Sequence, residues 1–444
     1  MSSSGVEEVG GGGGDGEGSS SQRRRRGGAN GVWPEPFLEA LATQMAIDAS
    51  RFIGRLAAAQ ALSNLFQVCS TWRAVSRSDL LWQNLTSRIW NRRHLLRQTW
   101  HDEYIYWHHT SNNFRHHRYI YCKLHFVPAN NNNNNDGLSC RRLALSNHHL
   151  AAGFSDGSVQ LFHLPTRVHL STFRPQQRDR LGRYSRAISG IILSDENLVF
   201  ASLDGDIHVV VINRAASASP RRVHLGDVVN DGALVDFTGS DRWWVGLYAG
   251  VPGRAFHIWN SETEELIFVD GDLTDPESVT GWHLLTELTE LVGRIRVTTG
   301  DAAVACTRPR LVVINLRNQA LTLRERSFQR ELIVGSFDAR DELVLAVDGR
   351  GIATVCWTDD LEEACRFNVR GASQRGIIGS MNNSGYAVMF VRGVIRVWEA
   401  ENGVYLYSLR ERPGEVNAMH ADERHIVACS SDGTIHLWEF GAQQ

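Results

Sequence analysis

From about residue 140 to the C terminus, apolar and polar residues alternate in short runs separated by turn-forming residues. Residues 150–164 read as a small apolar run, a Ser-Asp-Gly turn and a second alternating run with a bulky residue near its end. Alternation with period two predicts half-buried strands, and Asp-Gly accepts the positive φ angles of a tight turn, so the segment predicts a β-hairpin. The same unit returns at 425–440, and further copies stand at 198–212, 244–259, 303–315, 343–357 and 387–400. The bulky residue closing the second strand of each copy falls at Phe162, Val210, Trp259, Ile314, Trp357, Trp398 and Trp438, at intervals of 48, 49, 55, 43, 41 and 40 residues. Repeats of roughly 40 to 45 residues with four short strands each mark β-propeller blades. The pattern therefore predicts a mainly β protein, a seven-bladed β-propeller over 117–440.

Ahead of the repeats the period changes to that of helices. Phe37, Leu38, Leu41, Met45 and Ile47 follow a helical stripe after two prolines that suit a helix start. A second helix is predicted over 53–68, a third from the serine cap at Ser78, and a fourth within 91–110. These segments divide into a small all-α module at 31–90 and a linker helix at 91–116. Residues 119–127 alternate as a lone strand. The last repeat supplies three strands and then ends, leaving an edge of unpaired backbone groups, so 117–127 is expected to complete it. The long interval before Ile314 holds an insertion at 270–292, whose Leu284, Leu285, Leu288 and Leu291 sit at helical spacing. It reads as a short helix packed on the rim, with partner binding as the alternative.

Composition changes the picture at the N terminus. Residues 1–30 are rich in Gly and Ser and cannot bury enough apolar surface to offset chain entropy, which predicts disorder. Arg23, Arg24, Arg25 and Arg26 form a basic run there, either a solvated cluster or a short nuclear-import signal. No apolar run is long enough for a membrane span, so no membrane partner is expected. Seven scattered cysteines without a Cys-x-x-Cys pair predict neither a zinc ribbon nor a disulfide framework and suit a reducing compartment. A formal charge of -3 excludes a globally basic protein, so attraction to nucleic acid requires a local patch.

Three resemblances add to this. The repeats resemble the WD-repeat family, whose third strand ends in Trp-Asp; here the ends are Trp259-Asn260, Trp398-Glu399 and Trp438-Glu439. The family's Gly-His pair is missing, and one copy replaces its Asp-Gly turn with Thr307-Arg308-Pro309-Arg310. In the helical segment, Pro34, Phe37, Leu38, Leu41, Val68, Cys69, Trp72, Arg73, Leu81 and Trp82 resemble the F-box pattern, with Trp33 where leucine is usual. That resemblance implies docking on a Skp-type adaptor of a cullin ubiquitin ligase through Pro34, Phe37, Leu38, Leu41, Val68, Cys69, Trp72 and Trp82. The propeller would then present a protein substrate to the ligase. The runs Asn30-GVWPEPFLE, Val229-NDGALVDFTG, Arg242-WWVG and Ala249-GVPGRAFHIW also look like a family of plant F-box regulators, over nearly the whole chain after residue 29. This implies a nuclear regulator of floral-organ and ovule development that acts in protein degradation and transcriptional control.

Catalytic chemistry finds no support. The sequence has no Gly-x-Ser-x-Gly, no Gly-Lys-Ser phosphate loop and no His-Glu-x-x-His, which points to a non-enzymatic protein without a cofactor. His94, His101 and His108 recur every seven residues, but successive rings on a helix stand about 10 Å apart, too far for one ion. Asp156, Asp204, Asp348 and Asp432 each occupy a hairpin turn, where Asp is favoured for backbone reasons. The remaining candidate is basic: Arg178, Arg180, Arg183 and Arg186 in one connecting loop, with Arg370 and Arg375 in another. Paired guanidinium geometry suits an acidic or phosphorylated peptide of the substrate. A solvated loop and, less favoured, nucleic-acid phosphate are the alternatives.

Overall fold

A computed structural model describes residues 33–124, 138–175, 181–212, 219–273, 284–285, 291–298, 301–318, 321–340, 342–369, 371 and 376–441. Five helices come first: α1 (Glu35–Phe52), α2 (Ala57–Phe66), α3 (Ser70–Val75), α4 (Asp79–Trp90) and α5 (Trp100–Arg115). Leu38, Ala42 and Ala46 recur every four residues on α1 and are buried, and they share a core with Leu62 and Leu65 of α2 and Leu81, Leu85 and Ile89 of α4. The two small alanines in that stripe let the helices approach closely. Ser78 caps α4 by accepting from the Leu81 N–H at 3.4 Å, and Thr99 caps α5 by accepting from the Asp102 N–H at 3.1 Å.

Two helix expectations are corrected. The span 53–68 does not form one helix: Gly54 adopts φ 121°, α2 begins only at Ala57, and α3 is a separate element. The helix expected within 91–110 starts at Trp100, because Asn91 ends α4 in the left-handed conformation with φ 52°.

The remaining described residues build twenty-eight strands in five four-stranded sheets and one eight-stranded sheet. Seven separate sheets do not form. The strands at Ile188–Leu193 and Ala233–Gly239 join through one parallel pairing, Phe237 with Gly190. Glycine makes that approach possible, since a Cβ at position 190 would lie 1.9 Å from the Phe237 carbonyl oxygen. At the ends of the β region, Ile120–Leu124 pairs antiparallel with Ile435–Glu439, Ile120 opposite Glu439 and Leu124 opposite Ile435. The free edge of the last sheet is thereby filled from the segment that follows α5.

Of the seven recurrent bulky residues, six are buried between sheets and Trp357 is half-buried. The turn aspartates bond their own turns: Asp432 accepts from the Thr434 N–H at 2.8 Å, and Asp348 from the Arg350 and Ile352 N–H groups at 2.9 and 3.0 Å. Gly157, Gly205 and Gly433 supply the positive φ those turns need.

The helices dock on one end of the propeller. Phe114 of α5 is fully buried, stacked on Phe440 with ring centroids 3.7 Å apart and on Tyr386 at 5.4 Å. Around it, Asn113 donates to the Phe440 carbonyl at 2.8 Å and Tyr386 to the Ser111 carbonyl at 3.0 Å. Ion pairs join Arg92 to Glu423 at 2.6 Å, Arg115 to Glu399 at 3.2 Å and Arg55 to Glu401 at 3.8 Å. Helices and propeller thus share an interface with an aromatic centre and a charged margin.

Two histidines, the buried His257 and the half-buried His420, make stability depend on pH. Burial pushes His257 down to about 3, with Arg254 and His224 adding to the effect; burial first and then Arg340 push His420 down to about 3. A histidine whose folded value lies below its unfolded one takes up its proton earlier in the unfolded chain. It therefore contributes stability that is complete above the unfolded value of about 6.5 and is lost as pH falls toward 3. The thermal midpoint is expected to fall steadily between pH 6.5 and 4. Among the described residues the ring nitrogens of His257 have no hydrogen-bond partner, and the ring stacks on Tyr248 at 3.9 Å, so His257→Phe should flatten that slope. An unchanged slope in thermal scans of the variant would refute the assignment.

Candidate functional site

The buried stripe of α1 has an exposed counterpart. Trp33, Phe37, Leu41 and Met45 follow one another every four residues and are 59, 46, 38 and 41% exposed. Trp33 stacks on Phe37 with centroids 4.8 Å apart, which holds the end of the stripe in place. Val68 and Cys69, in the turn between α2 and α3, are exposed as well. Aligned apolar side chains left in water form the kind of patch found at interaction sites.

Not all of the residues expected to meet an adaptor lie on this surface. Pro34, Phe37, Leu41, Val68 and Cys69 are exposed, and Trp72 is half-buried against the helical core. Leu38 and Trp82 are corrected: at 1 and 7% exposure they belong to the module's own core, where the Trp82 indole donates to the Ser76 carbonyl at 2.7 Å. The residues named from that resemblance mix ones that build the module with ones that face outward, and spacing alone does not separate them.

The second surface lies at the opposite end of the propeller. In a four-stranded antiparallel meander, the first and third turns share one end, and the second turn and the link to the next sheet share the other. The helices contact first and third turns, through Tyr386, Glu423, Glu399 and Glu401. Second turns and links supply Arg308, Arg330, Arg350, Ile333, Val334 and Ile377, which line a cavity of about 640 Å³. Of the arginines named from the sequence, Arg178, Arg180, Arg370 and Arg375 lie outside the described residues, as do Arg23, Arg24, Arg25 and Arg26. Arg183 and Arg186 belong to this same end; Arg183 is exposed, with its guanidinium 5.2 Å from the Tyr184 ring centre. Their loop is pinned by Leu285, whose carbonyl accepts from the Tyr184 N–H at 2.8 Å. Of the four leucines at helical spacing in the insertion, Leu284, Leu285 and Leu291 are described, and Leu284 and Leu285 are buried.

A third group escaped the sequence reading. Arg141, Arg142, Arg294, Arg296 and Arg340 converge from the first strands of three sheets on the central channel, a cavity of about 290 Å³. Asp236 receives Arg142 at 3.1 Å and Arg296 at 3.0 Å, and Arg296 also reaches Asp338 at 2.9 Å. Burial raises the Asp338 carboxyl, but Arg340 and Arg296 outweigh it and hold the group well below the usual carboxylate range. The signal was present as guanidiniums at alternate positions of otherwise apolar strands, Arg294 and Arg296 above all. Among the described residues no group of three or more His, Cys, Asp or Glu side chains is placed to hold a metal ion, and no helix is long and apolar enough to cross a membrane.

Comparison with known proteins agrees with the fold. The model of the WD domain, G-beta repeat, matches residues 403–439. Among solved structures, the Cps50 (Swd1) β-propeller domain of Myceliophteria thermophila is similar with a TM-score of 0.51 at 12% identity, over 72% of this chain and 99% of that one. The WD40 β-propeller domain of Doa1 gives 0.51 at 12% identity, over 73 and 98%. A much nearer relative is the transcriptional regulator STERILE APETALA of Arabidopsis thaliana, 55% identical over 420 residues that cover 94% of this chain and 93% of the relative. With that identity held over nearly the full length of both, the chain belongs to the STERILE APETALA family of WD-repeat propeller proteins.

Proposed function

We propose that this protein is a nuclear transcriptional regulator that acts without catalysis, by holding two protein partners at opposite ends of a rigid body. The relative's name supports the regulatory role. The observation that carries the mode of action is the exposed stripe Trp33, Phe37, Leu41 and Met45 on a module clamped to the propeller end opposite the arginine-lined cavity. We also infer that the eight-stranded sheet is two blades bridged at Gly190, which makes the ring seven-bladed.

In the finer reading the stripe, with Val68 and Trp72, seats a Skp-type adaptor and so brings the propeller's target to a cullin ubiquitin ligase. An amphipathic helix in a partner's groove buries such i, i+4 anchors. The triple change Phe37→Asp, Leu41→Asp and Met45→Asp is the test, because these side chains lie outside the module's core and their replacement should leave it folded, with a thermal midpoint lower by only a few degrees. Co-purification of the adaptor should vanish; full retention would remove the ligase reading. Trp82 is unsuited to this test, since its loss would damage the module itself.

The second reading, a co-regulator that works through the propeller without a ligase, is favoured by the relative being named a transcriptional regulator. It predicts that the triple variant keeps its effect on a reporter gene. It also predicts that DNA binding, if the propeller touches chromatin directly, weakens steeply with salt.

A further inference from the structure

We propose that the central channel of the propeller is a binding site for a small oxyanion of the phosphate class. The argument starts from a charge imbalance. Five guanidiniums, those of Arg141, Arg142, Arg294, Arg296 and Arg340, line the channel, against two carboxylates, Asp236 and Asp338, among the described residues of the cluster.

Both carboxylates are already committed. Asp236 accepts from Arg142 through Oδ1, and from Arg296 and the Ile295 N–H through Oδ2 at 3.0 and 2.8 Å. Asp338 accepts from Arg296 through Oδ1, and from Ser380 and the Met381 N–H through Oδ2 at 3.0 and 2.9 Å. Three guanidiniums remain without a carboxylate at ion-pair distance among the described residues. Arg340 is held by the Met381 and Ala421 carbonyls at 2.8 and 3.0 Å. Arg294 donates through Nη1 to the Gly335 and Phe337 carbonyls, while its buried Nε has no partner among the described residues. The Arg141 side chain makes no hydrogen bond or ion pair with any described residue; its backbone carbonyl accepts from Arg142.

Uncompensated charge in such a place is costly, and the cost shows. Burial, and then Arg142, push the Arg141 guanidinium down to about 9; burial, and then Arg296, do the same to Arg294. His420, held neutral in the same wall, adds no charge. An anion that enters receives the paired N–H donors of planar guanidiniums, and it removes their mutual repulsion. The volume of about 290 Å³ decides what enters. A helix is about 10 Å across and does not fit, whereas phosphate or pyrophosphate does. Occupancy would tie together first strands of separate sheets and stiffen the ring.

Titration calorimetry of the full chain with pyrophosphate and with inorganic phosphate, in a chloride buffer, tests this. Saturable binding of one anion per chain is expected, tighter for pyrophosphate, with a thermal midpoint that climbs as the anion is added. Arg141→Gln removes no hydrogen bond or ion pair to a described residue and should keep the fold while weakening pyrophosphate by about tenfold or more. Arg294→Gln should weaken it as well, and Arg77→Gln, on the distant helices, should not. Heats that do not saturate, an Arg141→Gln variant that binds like the parent, or equal weakening by Arg77→Gln would each overturn the proposal.

Discussion

Replacing Phe114 by alanine is expected to separate the helical module from the propeller. The side chain is fully buried and lies between the rings of Phe440 and Tyr386, while its backbone carbonyl accepts from the Tyr407 hydroxyl. Phe→Ala at a buried site costs about 3–5 kcal/mol, from lost transfer energy and the cavity left behind. The three flanking ion pairs are partly exposed and are worth at most about 1 kcal/mol each, so they do not make good the loss. Because Phe440 directly follows the strand Ile435–Glu439 and α5 leads into its partner Ile120–Leu124, the damage reaches the sheet that these two strands share. Denaturant unfolding should change from one transition to two, with the module's tryptophan fluorescence lost first. Retention of a single transition at the parent midpoint would contradict this account.

A loss of similar size is expected for Asp236→Ala. This carboxylate is fully buried and is the meeting point of Arg142 from one sheet and Arg296 from another. Removing one partner of a buried ion pair leaves charge that nothing compensates, at a cost of about 3–5 kcal/mol. Asp236→Asn keeps the shape and one acceptor oxygen and should cost less. The thermal midpoint of the alanine variant should therefore fall well below that of the asparagine variant. Equal midpoints would mean that shape, not charge, is what the site provides. If an oxyanion occupies the channel, pyrophosphate should recover part of the lost midpoint in both variants, since it supplies negative charge to the same guanidiniums.

The sequence by itself determined the elements and their repetition. Alternation with period two and the Asp-Gly turns located the hairpins, because side chains on a strand point to opposite faces and only certain residues accept the turn geometry. The missing fourth strand of the last repeat pointed to residues 117–127, and Ile120–Leu124 occupies that edge. Local chemistry likewise marked the caps at Ser78 and the start of α1 after Pro34.

What depended on neighbours far along the chain was decided only by the tertiary structure. Leu38 and Phe37 are adjacent and equally apolar, yet one is core and the other faces water, because α2 and α4 cover only one side of α1. Gly190 merges two sheets through Phe237, 47 residues away by numbering, a contact that no local pattern encodes. The channel arginines read singly as charges in strands. They become a cluster because each first strand turns its alternate residues to a shared axis, which brings Arg142, Asp236, Arg296 and Asp338 within 3.1 Å of one another in successive pairs. Periodicity is a property of short segments and survives in the sequence; burial and charge pairing belong to the closed ring and arise only when it closes.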